Sequence, residues 1–384
     1  MWNRLRLLGL AVLCLSAVLA LSACGGGDDT TSGGTSAETT EAESEAESEA
    51  GGEEAGGGEE AAAEIPPFES VEEEAAESYP EPKPGKFSLA YMNPAAGNEF
   101  LKTLGTAMKL EVEKLGGTYS EVAAKGDPNE QVSQMDQLLA QGVEGIAVFA
   151  LDPGALAPEV EKAKKQGVKL VTIDLNLQET GLKGLAGYES QVWQRRDYAA
   201  YLTAKYMAEH LEPGAETGTI EFAIKVPSIV FSIERDVYWA EKMGLKNVGS
   251  SANKTDDIAG GEPAMTELLN QHPEIKGVMA YNDPSAIGAY AAARSAGVTD
   301  IIFGGENGGS EAFSAIEGGR QSFSIKLDVP SMGKGFAWGL YDLLQGTKVP
   351  PTVIAGEPVL IDEENVEEVP EWDETLEEEY GSSE

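Results

Sequence analysis

The sequence is poor in the residues on which most enzyme chemistry depends. In 384 residues there are two cysteines and two histidines. The cysteines, Cys14 and Cys24, both lie near the start, so the later part of the chain has no thiolate nucleophile, disulfide or cysteine metal site. His210 falls at a helix end and His272 in the turn His-Pro-Glu-Ile-Lys-Gly. Neither belongs to a metal-spaced set or a nucleophile motif, and no G-x-G-x-x-G follows a strand. No cofactor or metal is implied. Positive charge is scarce as well: 27 Lys and Arg stand against 66 Asp and Glu, for a net charge of −39. A negative body with no basic stripe argues against nucleic acid or anionic lipid as a direct partner. One apolar run exists, Leu7 to Leu21, and it stops short of the ~20 residues that a spanning helix needs.

That run follows Arg4 and Arg6 and ends in small residues, the pattern of a secretory signal. Its end, Leu-Ser-Ala-Cys at 21–24, resembles the lipobox of bacterial lipoproteins. The resemblance implies removal of residues 1–23, lipid on Cys24, and a mature protein held on the extracytoplasmic side of the cell membrane. From Gly25 to Gly85 there are nineteen acids and one base, Lys83, in a low-complexity background of Glu, Ala, Gly and Ser. Residues 24–85 therefore read as a disordered, self-repelling tether. Ile361 to Glu384 holds twelve acids and no base, and 369–384 reads as an acidic tail.

Between these ends, from Lys86 to about Glu368, short apolar strands alternate with amphipathic helices. This predicts an α/β fold with parallel sheets flanked by helices. An internal repeat sharpens the reading. Leu138 onward (LLAQGVEGIAVFALDPGALAP) and Leu268 onward (LLNQHPEIKGVMAYNDPSAIGA) both run helix end, turn, apolar strand, Asp-Pro, Ala-rich helix. The next strands end at Asp174 and Glu306. Two similar lobes follow, with Asp174 and Glu306 expected on opposite walls of one cleft. Asp152-Pro153 and Asp283-Pro284 read as helix starts, with Asp as cap. Asn282 takes a strand-end position held by Leu151 in the other copy, and so points to ligand contact.

At this level the body resembles the type I periplasmic sugar-binding proteins of ABC transporters, the ribose-binding group. The matching stretches are GNEF at 97–100, VTIDLN around Asp174, SIERDVYW around Arg235, MAYNDPSAIGA around Asn282, GGENG around Glu306 and LDVPSMG at 327–333. The resemblance implies two lobes joined by three crossovers, near Tyr188, Leu327 and Glu357. It divides the body into 86–188 plus 328–356 and 189–327 plus 357–368. It implies a monomeric, non-enzymatic protein that closes on a small sugar or polyol and docks on a membrane permease. Ligand contacts are carried over to Asn98, Phe100, Asp174, Arg235, Asn282 and Glu306. Carboxylates accept from hydroxyls, Arg donates as a fork, Asn does both and an aromatic covers a C–H face. Four departures bear on the pocket: Leu175 where the group has Arg, Leu327 in place of Gln, Asp256 near an expected aromatic, and Glu99 for Pro. Trp193, Phe231 and Trp239 are the available replacement aromatics. A sensor docking on a signalling receptor would share this body, as would a binder of a non-sugar polar ligand. A DNA-binding repressor on the same body would need a basic headpiece, and the chain has none.

Overall fold

The computed structural model describes residues 65–69, 75–175 and 185–381. In chain order the elements are β1 (Ser88–Asn93), α1 (Glu99–Lys114), β2 (Thr118–Ala123), α2 (Pro128–Gln141), β3 (Gly145–Val148), α3 (Pro153–Gln166), β4 (Lys169–Ile173), β5 (Ser190–Trp193), α4 (Arg196–His210), β6 (Glu216–Phe222), α5 (Pro227–Lys242), β7 (Lys246–Asn253), α6 (Ile258–Gln271), β8 (Gly277–Ala280), α7 (Asp283–Ser295), β9 (Ile302–Asn307), α8 (Ser310–Glu317), β10 (Phe323–Lys326), α9 (Val329–Leu344), β11 (Thr352–Ile354), β12 (Val359–Asp362) and α10 (Trp372–Tyr380).

The strands form two six-stranded sheets, ordered β11-β5-β4-β3-β1-β2 and β12-β10-β9-β8-β6-β7. The two orders match place for place: β3 and β8 are central, with β4 and β9 beside them. The internal repeat is therefore a repeat of whole lobes. The pairing is parallel except that β12 runs antiparallel to β10. Gly145–Val148 and Gly277–Ala280 are buried at every position. A parallel sheet covered by helices on both faces requires such continuous apolar strands rather than alternating ones.

Helix boundaries follow local chemistry. Asp127 and Asp152 cap α2 and α3, proline follows each cap, and both helices end on a left-handed glycine, Gly142 or Gly167. The start of α7 differs from expectation. Its cap is Asn282, which accepts from the Ser285 amide at 3.0 Å, one residue before the expected Asp283. Asp283 instead turns inward and accepts from Ser324 Oγ, Gln321 Nε2 and the Gly308 amide. Burial pushes its carboxyl up to about 7 against those three donors. Gly288 fixes how α7 meets α6: a Cβ there would lie 2.2 Å from the Ile258 carbonyl. That close approach sets the start of α6, with Asp256 just before it, next to Asn282.

The expected boundaries need three corrections. First, β5 pairs with β4, so the first lobe continues to Trp193 and the crossover follows it, at Gln194–Arg196 rather than Tyr188. Second, the expected tether is folded over its last part. Ala76 bridges Val353, and Tyr79, 3% exposed, bonds Ser190 Oγ at 2.8 Å. Tyr79 has an apolar slot at the sheet edge, and burying it outweighs the polarity of its neighbours. Earlier still, Phe68 packs on Tyr198, Tyr201 and Trp239 of the second lobe. Third, the acidic tail forms α10, which packs on α1 and α9 of the first lobe. Trp372 is buried and donates from Nε1 to the Leu327 carbonyl at 2.8 Å, Tyr380 bonds Glu111, and Lys334 pairs with Glu379. Besides the crossovers at Gln194–Arg196, Leu327–Asp328 and Ala355–Pro358, the described chain passes between lobes again before Trp372, and Phe68 and Ala76 pack on different lobes.

Candidate ligand-binding site

A cavity of about 430 Å³ lies between the lobes, beyond the carboxyl ends of the strands. That is where open parallel sheets bind ligands, and the size suits a small molecule. Its first-lobe wall comes from the loops after β1, β2 and β3, with Asn98, Phe100, Phe149 and Leu151. Its second-lobe wall comes from the end of β6, the start of α5 and the loops after β7 and β8, with Phe222, Ile224, Val226, Ile229, Asp256, Tyr281 and Asn282.

At one end the two walls meet through Asp256. Its carboxylate accepts from Tyr281 Oη at 2.7 Å, Asn282 Nδ2 at 2.8 Å and, across the cleft, Asn98 Nδ2 at 3.1 Å. Burial pushes its carboxyl above the usual range, and these hydrogen bonds oppose that rise. Asp256 holds a left-handed φ of 59°, a conformation that short polar side chains tolerate. Asn98 is fixed from below, since its Oδ1 caps α1 through the Leu101 amide. Glu99 adds a second link across the cleft by accepting from the Ser310 amide.

The floor is ionic. Arg196, the first residue of α4 after the crossover, donates from Nε to Asp174 at 2.7 Å and from Nη1 to Glu306 at 2.6 Å. Asp174 comes from the end of β4 and Glu306 from β9, so one guanidinium joins both lobes. All three groups are buried. Burial raises the carboxyls of Asp174 and Glu306, and Arg196 opposes it in each case. Burial also works against the Arg196 charge, but Glu306 and Asp174 outweigh it and hold its proton more firmly than usual. Asp236 of α5 lies behind them; burial, then repulsion from Glu306, pushes its carboxyl well above the ordinary range. One cation thus faces three buried carboxyls.

Of the six expected contact residues, the structure brings Asn98, Phe100 and Asn282 to the cavity lining. Asp174 and Glu306 sit behind Arg196 and do not line it. Arg235 lies elsewhere, on the outer side of α5, with its guanidinium 4.1 Å from the Tyr238 ring centroid and 5.5 Å from that of Trp239. On a helix, neighbours three or four positions apart share a face, so an Arg four residues before Trp239 stacks along α5 instead of entering the cleft. The replacement aromatics also lie outside the lining. Trp193 packs edge-on against Phe231, and Trp239 is wholly buried beside Tyr201. Leu327 is buried under Trp372.

Sequence reasoning missed Arg196, Asp256 as a hub, and the apolar residues from Phe222 at the end of β6 to Ile229 in α5. The signals were present: an Arg-Arg pair after a strand in a base-poor chain, and the apolar Ile224 and Val226 just past a strand end. Cys24 and the leader lie outside the described residues. Among the described residues no helix is long and apolar enough to cross a membrane.

Comparison with known proteins places this cleft in context. The sequence profile described as periplasmic binding protein domain matches residues 89–348. The chain is 27% identical over 271 residues to the ribose import binding protein of Bacillus subtilis, covering 70% of this chain and 86% of that protein. It is 28% identical over 222 residues to the D-ribose/D-allose-binding protein of Pseudomonas aeruginosa, covering 56% and 68% respectively. In fold it is similar to an ABC transporter solute binding protein from Mycobacterium smegmatis with bound glycerol. The TM-score there is 0.67 at 23% identity, over 74% of this chain and 96% of that one.

Proposed function

The chain belongs to the periplasmic binding protein domain family, and from that premise we propose that it captures a small sugar or related polyol between its lobes and delivers it to the permease of an ABC importer. The observation that carries this reading is the cavity of about 430 Å³ at facing strand ends, with Asn98 of one lobe bonded to Asp256 of the other. A ligand that completes such a cleft stabilises the closed form, because buried polar groups are tolerated only when paired. The name of the Bacillus subtilis relative, a ribose import binding protein, favours import over a receptor-docking sensor. The protein binds and releases its cargo without changing it, and acts as a monomer on the extracytoplasmic side. Lipid on Cys24 supplies the anchor, and the acidic residues that follow give the body reach. More than one acyl chain is needed for stable anchoring.

Native mass spectrometry of the purified chain tests the reading. The expected result is a co-purified sugar or polyol, displaced on unfolding and chemically unchanged. A bound ligand without hydroxyls, or turnover of a bound sugar, overturns it. For the anchor, Cys24→Ala should release the protein into the medium or leave an uncleaved precursor. A mutant that stays membrane-bound after full signal cleavage contradicts lipid attachment.

A further inference from the structure

The floor of the cleft limits what the cavity has left to offer. Asp174 and Glu306, the acceptors expected to take ligand hydroxyls, are both engaged by Arg196 at 2.7 and 2.6 Å. Arg196 lines the cavity and the two acids do not. Apart from Arg196 at the floor, the polar lining gathers at one end, where Asp256 stands with Asn98, Asn282 and Asn307. Away from that end the walls are apolar: Phe222, Ile224, Val226 and Ile229 on one side, Phe149 and Leu151 on the other. Phe222 stacks on Tyr281 with centroids 5.5 Å apart and 21° between planes, so a flat surface adjoins the polar end.

A ring displaying hydroxyls around its whole edge fits these walls poorly. A hydroxyl set against isoleucine or leucine gives up its water and gains no partner. A ligand polar at one end only loses nothing there and removes apolar surface from water. Charge balance at the polar end also favours an uncharged head, since Lys125 and Lys254 border the cavity along with Asp256 and Asp257.

We propose that the ligand is an amphiphilic glycoside: an uncharged hydroxylated ring held at Asn98, Asp256 and Asn282, bearing an alkyl or aryl substituent that lies along Phe222, Ile224 and Ile229. The proposal rests on the sugar-or-polyol reading and narrows it.

Isothermal titration of the purified, ligand-stripped chain tests it. The probes are D-ribose, D-xylose and D-glucose, each against its own n-butyl and phenyl glycosides. At least one glycoside should bind at least about tenfold more tightly than its parent sugar, as burial of the substituent against the apolar wall requires. The Ile224→Ala/Ile229→Ala double variant should narrow that ratio to about threefold or less. Ile224→Val/Ile229→Val, which keeps most of the apolar surface, should retain most of it. Parent sugars binding as tightly as their glycosides overturn the proposal and leave the sugar-binding reading standing. A ratio that survives in the alanine variant also overturns it, because the named wall is then not its cause. Binding of neither class, with a non-carbohydrate found by mass spectrometry, removes both.

Discussion

Two acidic centres, one lining the cleft and one behind its floor, are put to different uses. At the floor, Asp174 and Glu306 are paired with a cation of the protein itself. At the other end, Asp256 is surrounded by neutral donors, Asn98, Asn282 and Tyr281. The residue type is the same, and the partner decides the role. A guanidinium takes up both charge and geometry, turning the floor acids into a joint between lobes. Amide and hydroxyl donors orient the Asp256 carboxylate and leave its charge in place, so it stays able to take a ligand hydroxyl. A carboxylate at a strand end therefore identifies a ligand contact only after its nearest cation is known.

The largest effect should come from removing that cation. Arg196→Ala leaves Asp174, Glu306 and Asp236 buried without a counter-charge. Breaking a buried pair in this way costs about 3–5 kcal/mol. Urea unfolding should show a loss of that order at pH 7 and a smaller one at pH 5, where the carboxyls more readily hold protons. A loss below about 1 kcal/mol would mean that the floor is solvated and that the contrast between the two centres is false.

Next is the other centre. Asp256→Asn keeps shape and tolerates the left-handed backbone, but removes the charge. A hydrogen bond to a charged group contributes about 1.5–3 kcal/mol, so affinity for the co-purified ligand should fall about tenfold or more. Calorimetric titration measures it. Unchanged affinity in a folded variant would place the hydroxyl acceptor elsewhere.

A third test separates burial from pairing on the floor. The Asp236 carboxyl is held well above its usual range, chiefly by burial. A group with a raised folded value binds its proton more tightly folded than unfolded. It therefore weakens the fold as pH rises from about 4 towards the folded value, by at most about 1.4 kcal/mol per pH unit. Asp236→Asn should be more stable than wild type at pH 8 and show a shallower decline in urea midpoint from pH 5 to pH 8. Parallel declines in the two proteins would refute the assignment.

The smallest effect is expected at Arg235. Stacked on Tyr238 outside the cleft, it contributes about 0.5–1 kcal/mol through cation–π attraction. Arg235→Ala should lower stability by that amount and leave ligand affinity unchanged. A tenfold loss of affinity would bring Arg235 back into the site.

Those four residues also show what the sequence could and could not reveal. Lobe architecture was legible because repeated apolar strands and Asp-Pro helix starts are local signals, and β3 and β8 hold equivalent places in their sheets. Of the three expected residues in the lining, Asn282 was legible from its strand-end position, and Asn98 and Phe100 through the resemblance carried by GNEF. Arg196 was not, because its role depends on two carboxylates from other strands, 22 and 110 residues away in sequence. Arg235 misled for a different reason: the resemblance carried by SIERDVYW assigned it to the cleft, while helical spacing to Trp239 set its direction. The acidic ends misled through averaging, since single aromatics, Tyr79 and Trp372, anchor stretches whose composition is otherwise that of a solvated chain.

Trp372 also bears on time. Its indole bonds the carbonyl of Leu327, a crossover residue, from a helix packed on the opposite lobe. Swinging the lobes apart has to carry or break that bond, so the C-terminal segment should slow the opening of the hinge. Cargo behind a braked hinge escapes at the rate of opening rather than of its own desorption. Residence would then depend partly on a helix that does not line the cavity. A carrier facing open surroundings holds on to what it has caught until it meets a partner able to prise the lobes apart.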